Sequence, residues 1–262
     1  MKTKPKVLVL KTDGINCDEE LEFAFNLVGA DAKLVHVNEL RSKKESLKNF
    51  QILAIPGGFS YGDDIISGKV LAIELTSFFS DELKNFIQRK DTLTIGICNG
   101  FQVLIRTGIL PFDNIGKMDA TLLNNDCGHF ECRWVNLKID KNTSCVFLKD
   151  LKNIAVSYQV AHGEGKFFAD KKILDKIEKA NLVALRYVDS KGNSTQKYPD
   201  NPNGSLNAIA GITDKTGRVL GLMPHPERFV RVEHHPNFRR MKIDKPDGLL
   251  IFENMIKFVR QS

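Results

Sequence analysis

The chain carries no apolar run near the roughly 18 residues that a membrane-spanning helix needs, so no membrane role is expected. Its N-terminus offers only Val7-Leu8-Val9-Leu10, too short an apolar core for a signal peptide. Cysteine is sparse and odd in number. Cys17, Cys98, Cys127, Cys132 and Cys145 cannot all pair, which fits a reducing compartment, and a soluble cytoplasmic chain is expected. Cys127 and Cys132 bracket His129 in a thin Cys/His cluster, but no second cysteine pair follows at zinc-ribbon spacing, so no metal is expected. The 38 basic residues exceed the 32 acidic ones by only six, in scattered pairs such as Lys43-Lys44, Lys171-Lys172 and Arg239-Arg240. Without aromatic interleaving these pairs do not form a nucleic-acid surface; they read as a solvated basic surface, which would suit phosphorylated small molecules or an acidic partner. Internal repeats and low-complexity linkers are also absent. At about 150 residues per domain the length allows one large domain or two small ones. The unbroken pattern favours a single domain over 1–262.

What is present is an alternation of apolar strands and amphipathic helices. Val7 to Leu10 reads as a strand buried on both faces, and Glu19 to Val28 as a helix with Leu21, Phe25 and Val28 at helical spacing, stopped by Gly29. Ala32 to Val37, Gln51 to Ile55 and Thr92 to Ile97 read as further strands, with one helical stretch from Ser67 to Lys90. Short joins of this kind imply right-handed crossovers and a parallel sheet covered by helices. Beyond Cys98, the segments His129–Ile139, Asn153–Val160, Leu182–Val188, Asn207–Ile212 and Arg218–Met223 look like antiparallel or edge strands. The polar stretch Asp189–Ser205 is a long loop of the kind that is usually functional or disordered. A closing helix over Gly248–Gln261 would bury Leu249, Phe252, Ile256 and Val259. The fold class is therefore α/β, a largely parallel central sheet flanked by helices with additional antiparallel strands.

The chemistry concentrates in three places. Gly96-Ile97-Cys98-Asn99-Gly100 joins a strand to a helix in the form of a nucleophile elbow, where flanking glycines permit a strained turn. A thiol at a helix N-terminus feels positive partial charge that favours the thiolate; the alternative is an inert buried cysteine. Pro224-His225-Pro226-Glu227-Arg228 places an imidazole and a carboxylate two residues apart, so Glu227 can hold the tautomer of His225. Flanking prolines stiffen that segment, although a plain surface turn would have the same composition. Pro56-Gly57-Gly58-Phe59-Ser60-Tyr61-Gly62-Asp63 follows a strand, and its glycines let backbone N–H groups approach a ligand. Together with the N–H of Asn99, a backbone N–H of that turn can complete a hole for an oxyanion. A phosphate-binding loop is the competing reading, but neither Gly-x-Gly-x-x-Gly nor Gly-Lys-Ser/Thr occurs.

In this chain order the glycine-rich turn, the cysteine elbow and the His-x-Glu pair resemble the class I (triad) glutamine amidotransferases, which have a flavodoxin-like fold. Within them the chain is similar to the glutaminase subunits of phosphoribosylformylglycinamidine synthase. The narrower resemblance rests on Asn16-Cys17-Asp18, Gly57 to Asp63, Cys98-Asn99-Gly100-Phe101-Gln102, His162-Gly163-Glu164-Gly165, Tyr198-Pro199 with Asn201 to Ser205, and Pro224 to Arg228. It implies that Cys98 attacks glutamine, His225 moves the proton and Glu227 orients His225. Gly58 and Asn99 would form the oxyanion hole, with Gly57, Phe59 and Gln102 lining the substrate. Asn16, His162, Glu164 and Asn203 would lie near the site or at a partner interface. The resemblance also implies ammonia transfer to a synthetase subunit that uses ATP and magnesium, with a small third subunit, and no cofactor on this chain.

The sequence departs from that family in two places: Asp64-Ile65-Ile66 stands where Tyr-Leu-Arg is frequent, and Lys166 where arginine is common. Residues 229–247 form a charged stretch without an assignment. Two other readings are a stand-alone cysteine hydrolase or peptidase on the same scaffold and a non-catalytic regulatory subunit. The hydrolases usually have a histidine close behind the elbow cysteine, whereas the nearest one here is His129. An intact Cys98, His225 and Glu227 argues against the regulatory subunit.

Overall fold

The computed structural model describes residues 3–149, 151 and 155–262. Strands β1 (Lys6–Lys11), β2 (Asp31–His36), β3 (Ile52–Ile55) and β4 (Leu93–Ile97) alternate with helices α1 (Asp18–Leu27), α2 (Val37–Arg41), α3 (Lys69–Phe78) and α4 (Ser80–Gln88). Helix α5 (Asn99–Arg106) leaves β4 directly. The remainder comprises β5 (Thr121–Leu123), β6 (Glu131–Ile139), β7 (Ala155–His162), β8 (Lys166–Phe168), α6 (Lys171–Lys179), β9 (Val183–Val188), β10 (Ile209–Thr213), β11 (Val219–Leu222) and α7 (Asp247–Gln261).

Among the described residues nine strands form one sheet in the order β2-β1-β3-β4-β11-β10-β9-β6-β7. The first five run parallel, and β10, β9, β6 and β7 continue antiparallel. Burial explains the division. Val7 to Leu10 are essentially inaccessible on both faces, as a sheet covered by crossover helices requires. Along β7, in contrast, Val156, Tyr158, Val160 and His162 are buried while the residues between them are not. Phe25 on α1 meets Phe252 on α7 edge-on at 5.0 Å, and Phe101 on α5 stacks on Phe167 of β8 at 6.4 Å. Strand β8 pairs with β5 in a small sheet beside α5.

Several sequence-based expectations need correction. The stretch from Ser67 to Lys90 is two helices, because Phe79 leaves helical geometry (φ −127°, ψ 14°) as its ring buries, and Asp81 and Glu82 then fill a new first turn. The Arg218–Met223 segment is no edge strand: β11 lies mid-sheet, parallel to β4 and antiparallel to β10. Four apolar residues in a row fit that position, since both faces are covered. In α7 the buried stripe is Ile251, Phe252, Met255 and Ile256, with Leu249 and Val259 only half-buried, so the helix is rotated toward its neighbours α1 and β7. Elements α2, β5, β8 and α6 were not anticipated; α6 shows its signal only in Ile173, Leu174 and Ile177 among lysines. Asn153, the expected start of a strand, lies outside the described residues.

Candidate active site

Strands β3, β4 and β11 are neighbours in the sheet, in register with Ile55 opposite Gly96 and Ile97 opposite Leu222. Their C-terminal ends therefore deliver Gly57, Cys98 and His225 to one place, the edge of an open α/β sheet where ligands bind. Neighbouring strands are about 4.8 Å apart, so residues far apart in sequence arrive within reach of one another. A Cβ placed on Gly57 would lie 2.7 Å from His225 Cε1, 3.2 Å from Cys17 Sγ and 3.4 Å from Cys98 Cβ.

Cys98 stands at the elbow with φ 53° and ψ −106°, the left-handed side of the map that a side chain adopts only under constraint. The constraint is local. A Cβ at Gly100 would lie 1.9 Å from the Ile55 carbonyl oxygen, and one at Gly96 would lie 2.5 Å from the Gly100 oxygen. Only glycine lets α5 start this close to the sheet. The Cys98 N–H donates to Leu222 O at 2.8 Å, and its Sγ lies 3.5 Å from Ala161 O on β7.

The His225 N–H donates to Gln159 O at 2.8 Å, so β7 supports both the thiol and the imidazole although it lies at the far edge of the sheet. His225 Nδ1 is 2.5 Å from Glu227 Oε1, and both side chains are buried. Its Nε2 has no fixed hydrogen-bond partner, and the ring interacts with Cys98. Burial alone would strip the charge from the ring. The Glu227 carboxylate and then Cys98 outweigh it, so the pKa of His225 is raised and the ring keeps its proton to higher pH than free imidazole. Cys17, beside this pair, is a different thiol: burial pushes its pKa up, and its Sγ accepts from Arg228 Nη2 at 3.2 Å.

The glycine turn is held from behind. Gly58 has φ 123° and packs against Asn16, where a Cβ would meet the Asn16 nitrogen at 2.7 Å. Phe59 N donates to Gly14 O, Tyr61 N to Asp13 O, and the Tyr61 hydroxyl bonds Glu74 on α3. Tyr61, Asp63 and Ile65 all have left-handed backbones. At the elbow Asn99 accepts from Ser60 Oγ at 2.7 Å and donates to Asp63 Oδ1 at 2.9 Å and to Gln102 Oε1 at 3.1 Å. Gln102 Nε2 donates to Glu164 O at 2.6 Å. Gln102 thus has both ends of its amide engaged in tying the glycine turn, α5 and the His162–Gly165 turn together, rather than turned toward a substrate.

The structure brings Cys98, His225, Glu227, Gly57, Gly58, Asn99 and Asn16 together. Of the residues expected near the site or at a partner interface, His162 is 3% exposed and Asn203 fully buried, so neither offers its side chain to a partner surface. Asn203 Nδ2 donates to Gly165 O at 2.8 Å and to the Tyr187 hydroxyl, and Ser205 Oγ donates to Asn203 Oδ1. The polar loop expected at 189–205 is therefore an ordered brace at its end. Phe59 is 45% exposed and stacks on Phe130 at 6.5 Å, at the mouth of the site. Lys166 pairs with Asp126, and Ile65 projects into solvent. In the 229–247 stretch, Phe229 and His235 pack on Trp134.

Sequence reasoning missed Asn125, which donates to His162 O at 2.8 Å and accepts from Gly165 N at 3.1 Å. It also missed Arg106, buried on α5, whose Nε donates to Ser67 O and whose guanidinium lies 3.9 Å from Glu164. Nothing in spacing points to either. The thin cluster changes membership: Cys132 is exposed on β6, and Glu131 joins Cys127 and His129 instead.

The arrangement can hold an acyl group on sulfur, with a proton carrier on one side and backbone N–H groups on the other. Comparison with known proteins agrees. Residues 4–259 match the CobB/CobQ-like glutamine amidotransferase domain. The chain is 44% identical over 260 residues to phosphoribosylformylglycinamidine synthase subunit PurQ of Dehalococcoides mccartyi, covering 99% of each. It is 43% identical over 241 residues to the subunit of that name from Methanococcus maripaludis strain C5, covering 91% of this chain and 88% of the relative. A chain of the PurLQS structure from Thermotoga maritima superposes with a TM-score of 0.73 at 28% identity, covering 98% of this chain and 99% of that one. The chain belongs to the CobB/CobQ-like glutamine amidotransferase family and, within it, to the phosphoribosylformylglycinamidine synthase subunits.

Proposed function

We propose that the chain is the glutaminase subunit of a phosphoribosylformylglycinamidine synthase, a single catalytic domain working in the cytoplasm. The observation that carries the reading is the strained Cys98 beside a buried His225 whose Nδ1 is held by Glu227. The thiol proton resides on His225 as sulfur attacks the carboxamide carbon of glutamine. The N–H groups of Gly58 and Asn99 receive the oxyanion, each such donor being worth about 2.7–4 kcal/mol in the transition state. Collapse breaks the C–N bond, and His225 gives its proton to the departing ammonia, leaving a γ-glutamyl thioester. Water then attacks the thioester, His225 accepts its proton, and the C–S bond breaks to release glutamate and restore the thiol.

The ammonia passes to a synthetase subunit that uses ATP and magnesium to convert formylglycinamide ribonucleotide to its amidine, in an assembly with a small third subunit. Phe59, Ile65 and Phe130, apolar and exposed around the mouth, suit a surface that a partner covers. Among the described residues no helix is long and apolar enough to cross a membrane.

The test is glutamate release from glutamine by the isolated chain, repeated with the cognate synthetase, ATP, magnesium and formylglycinamide ribonucleotide. Activity that rises sharply in the full mixture is expected. Equal activity in both would indicate an independent hydrolase, and none in either a non-catalytic subunit.

A further inference from the structure

We propose that Cys127, His129 and Glu131 form a site for one divalent cation of the zinc type, beside the mouth of the active site. Their sulfur, ring nitrogen and carboxylate oxygen lie within 4.8 Å of one another. Zinc bonds of about 2.0–2.3 Å in tetrahedral geometry set ligand atoms about 3.5 Å apart, so small side-chain rotations close the set. A turn brings them together: Gly128, with φ 74°, bends the chain between Cys127 and His129, and Glu131 opens β6; Phe130, between two of the ligands, stacks on Phe59.

The imidazole is already oriented as a ligand. His129 Nδ1 lies 3.0 Å from Cys127 O, and a carbonyl only accepts, so Nδ1 carries the proton. In the neutral ring Nε2 then directs its lone pair at Glu131 Oε1, 2.9 Å away. Two acceptors at that separation repel unless a proton or a metal cation joins them. Glu131 is 1% exposed, and among the described residues its Oε1 faces only the His129 ring and the Cys127 thiol, the two other proposed ligands. Outer contacts fix the rest: Arg133 Nε holds Glu131 Oε2, and Asn125 Nδ2 donates to His129 O at 3.0 Å. The His129 side chain is 58% exposed, which leaves the fourth position open to water.

A second grouping, Cys17, Glu20 and His225, is not equivalent. The Arg228 guanidinium donates to both Cys17 Sγ and Glu20 Oε1 and fills the place a cation would take.

The test titrates the metal-freed full-length chain carrying Cys98→Ala with Co²⁺, and with Zn²⁺ in competition. One equivalent should bind, with a thiolate-to-cobalt charge-transfer band and proton release. Adding Cys127→Ser should abolish the band. Adding His129→Ala, at an exposed side chain, should weaken affinity by more than about 100-fold, beyond the range of outer-shell effects. A band that survives Cys127→Ser places the metal elsewhere and overturns the proposal. Failure of both metals to bind at micromolar concentration leaves only a proton between His129 and Glu131 and overturns it equally.

Discussion

Two groups of cysteine, histidine and glutamate lie near each other in this molecule, and the same three residue types are arranged for different chemistry. In Cys98, His225 and Glu227 the carboxylate takes Nδ1 and leaves Nε2 for the sulfur. In Cys127, His129 and Glu131 the backbone takes Nδ1 and the carboxylate faces Nε2, so no ring nitrogen is free to serve the thiol as a base. The first group is buried and gathered from two strand ends and a short turn; the second comes from a five-residue stretch that runs from the exposed His129 to the buried Glu131. Residue type supplies the functional atoms, but the acceptor given to each imidazole nitrogen decides between proton transfer and ligation.

Removing each thiol in turn separates the two groups most clearly. Cys98→Ala should lower glutamine hydrolysis by at least about 10³-fold, while ammonia-dependent synthesis by the assembled enzyme survives. Cys127→Ser should leave kcat within about twofold of the parent. Loss of both activities in Cys98→Ala would make Cys98 structural. Glu227→Gln comes next: kcat should fall by about 10²–10⁴-fold with little change in KM, as when a triad loses the group that sets its tautomer. Unchanged kcat would remove Glu227 from the mechanism.

Gly100→Ala tests the strain beneath the first group. Its new Cβ meets the Ile55 carbonyl oxygen at 1.9 Å, and about 3 kcal/mol or more of stability should be lost in denaturant unfolding.

His162 lies between the two groups, bound to Asn125, and its effect is on pH. Burial first, and the charge of His225 second, lower its pKa from 6.5 to about 4. As pH falls the unfolded chain takes up this proton before the folded chain does, so stability declines between pH 6.5 and about 4. The decline amounts to at most about 3 kcal/mol. His162→Gln should flatten that part of the profile, measured by urea unfolding across pH; an unchanged slope would assign it to other groups. The smallest effect is in alkylation. Peptide mapping after limited iodoacetamide should find Cys98 modified before the exposed Cys132, because His225 assists only the former; the reverse order would show exposure outweighing activation.

The parallel half of the sheet was legible because strands covered on both faces are continuous apolar runs, as in Val7–Leu10 and Ile52–Ile55. The two motif ends of the triad were legible for a related reason. A strand that stops at glycine or proline beside a chemically distinctive residue marks itself. Position was harder to read: β11 looks like its antiparallel neighbours in sequence, because a short apolar run carries no information about its partner. The same applies to Gln102 and Asn203, whose residue types fit ligand contact but whose amides are consumed in bracing turns. Asn125 had no local signature, since its partners lie 37 and 40 residues away.

The α/β class, the cysteine elbow, the His-x-Glu pair and the glycine turn are written in the sequence, because each depends on backbone freedom or periodicity expressed over a few adjacent residues. Tertiary structure alone decided that β3, β4 and β11 end side by side. It also brought β7 from the sheet's far edge to support Cys98 and His225, and put Glu131 rather than Cys132 with His129. Those outcomes depend on strand order and on which side of a strand a side chain occupies. Both are set by long-range packing, which no short window of sequence contains.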